Sequence, residues 1–173
     1  MKACKLLLFL WIIPLVTSAQ SDSLLRRARE SRQNPVVQDE KGEVKPLSSY
    51  SAPATTAFDN FNAYSVKNNP LVSTSFTLAS SCLLVSIQTY HWNNGRGKLP
   101  GNIKIQHTNG TVYGPWTVKG TPGSGGVANV FWTVYPNMAI PAGTYTVIDS
   151  DKATWSFNSQ SMNKGFTKVV VRK

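Results

Sequence analysis

The sequence predicts an all-β fold, an antiparallel β-sandwich or jelly roll of about eight strands. Three observations lead there. From Thr55 onward apolar and polar residues alternate instead of recurring at helical spacing. Clusters of Gly, Pro and Asn interrupt that alternation at short, regular intervals. Between these clusters no periodic run suggests the helices that would connect parallel strands.

In chain order, the first strands are expected at 72–79 and 82–92, the latter with Leu83, Val85 and Ile87 on one face. A turn at 98–101 leads to 102–107, where Ile103 and Ile105 alternate with Lys104 and Gln106. Asn109-Gly110 then joins this strand to 111–119, the strongest short hairpin signal in the chain. Asn109-Gly110-Thr111 is also a glycosylation triplet, but the turn accounts for its asparagine. Turns at 121–126, Tyr135-Pro136-Asn137 and Pro141-Ala142-Gly143 separate strands at 127–135 and 143–148, and 153–157 and 166–172 complete the set. In 127–135, Val130, Trp132 and Val134 share a face, which makes Trp132 a core residue.

Upstream the character changes. Residues 1–19 have a basic start (Lys2, Lys5), an apolar run over 6–16 and a small-residue site at Thr17-Ser18-Ala19, the pattern of a secretory signal. The expected destination is secretion, the periplasm or the cell surface, with no membrane span, because a span needs roughly 20 apolar residues. Residues 20–54 are expected to form a flexible tether with a short helix over 23–33. The domain itself is expected at 55–173. Once Cys4 leaves with the signal, Cys82 is the single cysteine. In its apolar surroundings it reads as a buried, inert thiol.

The net charge is +10, from 18 basic and 8 acidic residues. Within 55–173 the only carboxylates are Asp59, Asp149 and Asp151, and there is no Glu. Such a balance suits an anionic surface polymer as partner, or simply solubility, and the scattered bases form no patch for specific nucleic-acid binding.

The strings Phe58-Asp59-Asn60, Tyr90-His91-Trp92-Asn93-Asn94-Gly95, Gly110-Thr111-Val112-Tyr113-Gly114-Pro115-Trp116, the run from Pro141 to Asp151, and Thr154-Trp155-Ser156-Phe157-Asn158 carry a resemblance. Over residues 55–173 the chain resembles small β-sandwich modules of exported bacterial proteins, some of which carry further domains. The signal, ending Ser-Ala-Gln-Ser, also resembles those of Bacteroidetes. The resemblance implies a secreted module and brings no activity with it.

The chemistry available to this domain is narrow. Glycoside hydrolysis needs two carboxyl groups flanking the scissile bond, which only Asp149 and Asp151 offer, and nothing marks a pocket around them. His91 and His107 lie beside no nucleophile elbow and no Cys or Glu cluster, so no residue is assigned a catalytic role. The glycine-rich pieces at 95–98 and 120–126 open no helix and read as hairpin tips. Asp149-Ser150-Asp151, with Asn158, is a candidate calcium loop, calcium being the one cofactor considered. The alternative is that these side chains bond to turn backbone.

Trp92, Asn93, Asn94 and Arg96, together with Tyr113 and Trp116, combine rings that stack on sugar C–H faces with amides and a guanidinium that bond hydroxyls. The expectation is a secreted, non-enzymatic binding module for carbohydrate or another cell-surface polymer. A protein-interaction or adhesion module is the alternative, and a hydrolase has the least support.

Overall fold

The computed structural model describes residues 36–38 and 44–173, together with Arg26, which is helical and exposed. The signal segment and the rest of the 23–33 helix lie outside the described residues. The chain divides into two compact units, Met1–Pro35 and Val36–Lys173.

The strands are β1 (Val36–Gln38), β2 (Val44–Pro46), β3 (Thr55–Asp59), β4 (Lys67–Asn68), β5 (Ser75–Leu78), β6 (Cys82–Tyr90), β7 (Asn102–His107), β8 (Val112–Thr117), β9 (Lys119–Thr121), β10 (Phe131–Val134), β11 (Met138–Ile140), β12 (Gly143–Asp149), β13 (Ser156–Phe157) and β14 (Thr167–Arg172). A six-stranded sheet runs β3-β14-β6-β10-β9, with β11 taking over from β10 beside β6. A four-stranded sheet runs β5-β12-β7-β8, and β1-β2 and β4-β13 are separate antiparallel pairs.

The two large sheets are antiparallel throughout and share one core. Phe76, Ile105, Tyr145 and Val147 come from one side, and Leu84, Ile87, Trp132 and Val169 from the other. This is the expected all-β sandwich. Truncating a core ring such as Trp132, 1% exposed, would cost about 3–5 kcal/mol.

The strand count exceeds the expected eight or so. β3, β9 and β11 are short and carry little alternation of their own, and they form because β14, β10 and β6 offer them a paired edge. The strand expected at 153–157 shrinks to β13, because 150–154 form a turn. The Asn109-Gly110 hairpin forms as expected. Gly110 has φ 94°, and the Asn109 side chain accepts the Thr111 N–H at 2.9 Å. Val118, buried between β8 and β9, is the corner at which the chain passes from one sheet to the other.

One expectation about β6 is overturned. Leu83, Val85 and Ile87 do not share a face, because the pairing with β14 skips Val85. That bulge puts Leu84 and Ile87 together in the core. Leu83 points the other way, into a separate cluster with Ala139 and Tyr50. Tyr50 belongs to the segment expected as a tether. Tyr50 is buried against Leu83 and Ala139, and β1 pairs with β2, so these parts of the segment are ordered within the second unit.

Candidate functional site

Beyond the bulge, β6 turns Ile87 and Thr89 inward and Gln88 and Tyr90 outward. Register then assembles an aromatic floor on the outer face. Phe131 of β10 pairs with Tyr90, and Phe166 precedes Thr167, which pairs with Thr89. Phe61, from the loop after β3, lies over them. Its ring centroid is 5.5 Å from Phe166, 6.0 Å from Tyr90 and 6.3 Å from Phe131, and Tyr90 and Phe131 are 5.0 Å apart.

A cleft of about 660 Å³ opens here, lined by these rings with Trp92, Tyr64, Asn62, Asn94 and Ser124. That size suits a small-molecule ligand. Tyr64 is 64% exposed at its rim. Burial pushes the Tyr90 phenol above its ordinary pKa, so it stays protonated and able to donate.

Two loops make the walls, and side-chain amides hold the first. Asn60 donates to the Gly165 carbonyl at 3.1 Å and accepts the Thr167 N–H at 2.7 Å, pinning the chain to the start of β14. Asn62 and the buried Asn158 exchange both amide bonds, at 3.1 and 2.6 Å. Asn158 also accepts the Ser161 N–H at 2.9 Å and donates to the Ser65 carbonyl at 3.4 Å, which engages its amide on every side.

The second wall is the 92–97 turn. The Trp92 N–H donates to Ser156 Oγ at 3.0 Å, and the Trp92 carbonyl accepts the N–H groups of Gly95 and Gly97. Asn93 and Asn94 sit at φ 46° and 54°, a left-handed region that asparagine tolerates better than most residues. Gly97 (φ 63°) is required, since a Cβ there would run into the Ala128 carbonyl oxygen.

The acid loop is organised by its own turn and by this second wall. Asp149 Oδ1 accepts the Asp151 N–H at 2.8 Å, and Asp151 Oδ1 accepts the Thr154 N–H at 3.2 Å. Lys98 Nζ reaches Asp151 Oδ2 at 2.6 Å, while the Lys98 carbonyl accepts the Trp132 indole N–H at 3.0 Å. Partial burial pushes the Asp151 carboxyl up. The hydrogen bond and charge of Lys98, helped by the Thr154 N–H, outweigh it and hold the group below its ordinary pKa.

The other Asp149 oxygen faces inward. Oδ2 accepts from Thr89 Oγ1 at 2.8 Å and lies 3.1 Å from His91 Nε2. His91 Nδ1 is 2.9 Å from Thr154 Oγ1, and its ring stacks on Trp132 at 3.8 Å. The His91 and Asp149 side chains are both 0% exposed. This His–carboxylate pair ties the end of β6 to β12 inside the sandwich. Cys82 is also interior. Burial, opposed by Lys173, pushes its thiol to about 11, so it is neutral and inert at physiological pH.

The structure therefore divides the residues singled out from sequence. Trp92 and Asn94 line the cleft, Asn93 shapes the turn through its bond to the Gly97 carbonyl, and Arg96 is exposed beside it. Tyr113 and Trp116 are not with them, since they sit on β8, the edge of the opposite sheet, and pack against the core. Asp149 and Asp151 share a turn, whereas Asn158 takes partners in the other wall. Among the described residues, no three His, Cys, Asp or Glu side chains group as a metal site.

Sequence reasoning missed Phe61, Tyr64, Tyr90 and Phe131. For Tyr90 a signal existed, because it lies two residues before Trp92 at the end of an alternating strand. No family model matches this chain, and comparison with curated proteins and with solved structures finds no match. No described helix is long and apolar enough to cross a membrane.

Proposed function

We propose that the chain is an exported, non-enzymatic module that binds carbohydrate in the aromatic cleft. The observation that carries this reading is the convergence of Tyr90, Trp92, Phe61 and Phe131 with the Asn94 amide around one open cavity. Aromatic faces take the C–H side of a sugar ring and amides take its hydroxyls, a division of labour common in small-ligand sites. The signal-like pattern of residues 1–19 and the resemblance to exported sandwich modules support the export part of this reading. Calcium is the cation proposed for the Asp149–Asp151 turn, where it would replace Lys98 at Asp151.

Glycan-array binding by the chain without residues 1–19 tests the proposal, with Trp92→Ala beside it. The expected result is a bound glycan class whose signal falls at least about tenfold in the variant, while stability drops by less than the 3–5 kcal/mol of a buried ring. A variant that binds as well as its parent, or one that loses that full amount of stability, would count against Trp92 as a ligand platform.

A protein-interaction role is the second reading. Leu71, Val72 and Met162, 72%, 44% and 62% exposed, favour it. They are gathered by bonds from the Leu71 and Val72 N–H groups to the Asn163 carbonyl. Loss of partner binding on Leu71→Ser, with glycan binding intact, would distinguish it.

A further inference from the structure

We propose that the cleft selects an uncharged ligand, a neutral oligosaccharide, and that the protein's net charge of +10 plays no part in recognition there. The inference rests on the carbohydrate reading above and narrows its ligand class.

Among the described residues, those lining the cleft include no Lys, Arg, His, Asp or Glu. Lys67 and Arg96 are close in sequence to the two walls, yet neither lines the cavity. What the lining does offer is neutral. The Asn62 amide is committed to Asn158, which leaves the Asn94 amide, the Ser65 and Ser124 hydroxyls and the Tyr64 and Tyr90 phenols to meet a ligand. The Tyr90 phenol, uncharged at physiological pH in any case, is pushed further from ionisation by burial.

An anionic sugar placed here would lose hydration without gaining a cation, which is costly for a charged group. It would also meet the negative faces of the surrounding rings. A neutral sugar incurs neither penalty, and its C–H faces are attracted to the same rings. The basic residues of the domain are spread over its surface and serve solubility rather than this site.

The walls are also built before any ligand arrives. The Asn62–Asn158 pair and the bonds to the Trp92 carbonyl hold both loops in the protein alone. Binding therefore orders little chain, which suits a ligand recognised by shape and neutral contacts.

The experiment titrates the chain without residues 1–19 against neutral tetrasaccharides (cellotetraose, chitotetraose, mannotetraose) and acidic ones (from heparin and polygalacturonate), read by calorimetry and tryptophan fluorescence. Each titration is run at about 20 mM and about 500 mM NaCl, which shortens the screening length from roughly 20 Å to about 4 Å. The expected result is binding of at least one neutral tetrasaccharide, with Kd changing by less than about twofold between the two salts. Trp92→Ala should weaken it at least about tenfold.

Asn94→Gly, which suits the left-handed φ of 54°, should weaken the same binding without lowering the melting temperature. Binding of acidic tetrasaccharides alone, dependent on Trp92 and weakened about tenfold or more by salt, would overturn the neutral assignment and leave the carbohydrate reading standing. Failure of both classes to bind through Trp92 would overturn both.

Discussion

Asn158→Ala should destabilise the protein well beyond what one polar side chain suggests, because the amide ties three elements together. The Ser161 N–H, in a residue 1% exposed, would lose its acceptor, and a buried donor left unmatched costs about 1–3 kcal/mol. The two bonds to Asn62 are part-buried and contribute about 0.5–1.5 kcal/mol each. The expected loss is therefore about 2–6 kcal/mol. At roughly 2–4 °C per kcal/mol for a chain of this size, the middle of that range lowers Tm by about 12 °C.

Asn62→Ala removes the same pair from the exposed side and should cost less. The decisive measurement is the double-mutant cycle, from urea melts of the two single variants and the double variant followed by tryptophan fluorescence. Removing both amides should cost about 1–2 kcal/mol less than the two single losses added together. Additivity within about 0.5 kcal/mol would refute the view that these amides act as one strut.

The remaining expectations concern the interior pair and the acid turn. His91→Ala should cost about 1–3 kcal/mol by removing a hydrogen-bond partner from the buried Asp149, with more for the ring lost from Trp132, and Asp149→Ala added to it should cost much less than it does alone. A denaturant midpoint for His91→Ala close to that of the parent would contradict this. Because the Asp151 pKa is depressed, its contribution is present above its unfolded value of about 3.9 and is lost as pH falls through the folded value. Lys98→Met should flatten that part of a stability-versus-pH curve, and an unchanged acid limb would refute the pairing. Calcium at about 100 times its dissociation constant should add roughly 2.7 kcal/mol if it binds the native turn. The gain should reverse with chelator and vanish in Asp151→Ala, whereas a Tm indifferent to calcium would leave Asp149 and Asp151 as turn scaffold.

Whatever is encoded locally could be read without the structure. Alternation after Thr55 and the Gly, Pro and Asn clusters were enough for an all-β antiparallel sandwich, since both report on backbone preference within a few residues. Asn109-Gly110 specified its hairpin, and the apolar neighbours of Trp132 and Cys82 put both inside. That an alternating strand ends and a polar turn begins at Trp92 and Asn94 was legible too, and the structure puts both in the lining of the cleft.

Tertiary structure decided what depends on register and on partners remote in sequence. A single skipped residue at Val85 reversed which side chains of β6 face the core, and no local pattern announces a bulge. Tyr113 and Trp116 have a composition like that of the Trp92 loop, yet β8 joined the other sheet, a choice made by strand pairing alone. Phe61, Tyr90, Phe131 and Phe166 became one aromatic floor only when three strands and a loop met. Asn158 found its partner in Asn62, 96 residues away, because closure of the sandwich brought the buried Asn158 amide within reach of the half-buried Asn62 and left each needing the other's bonds.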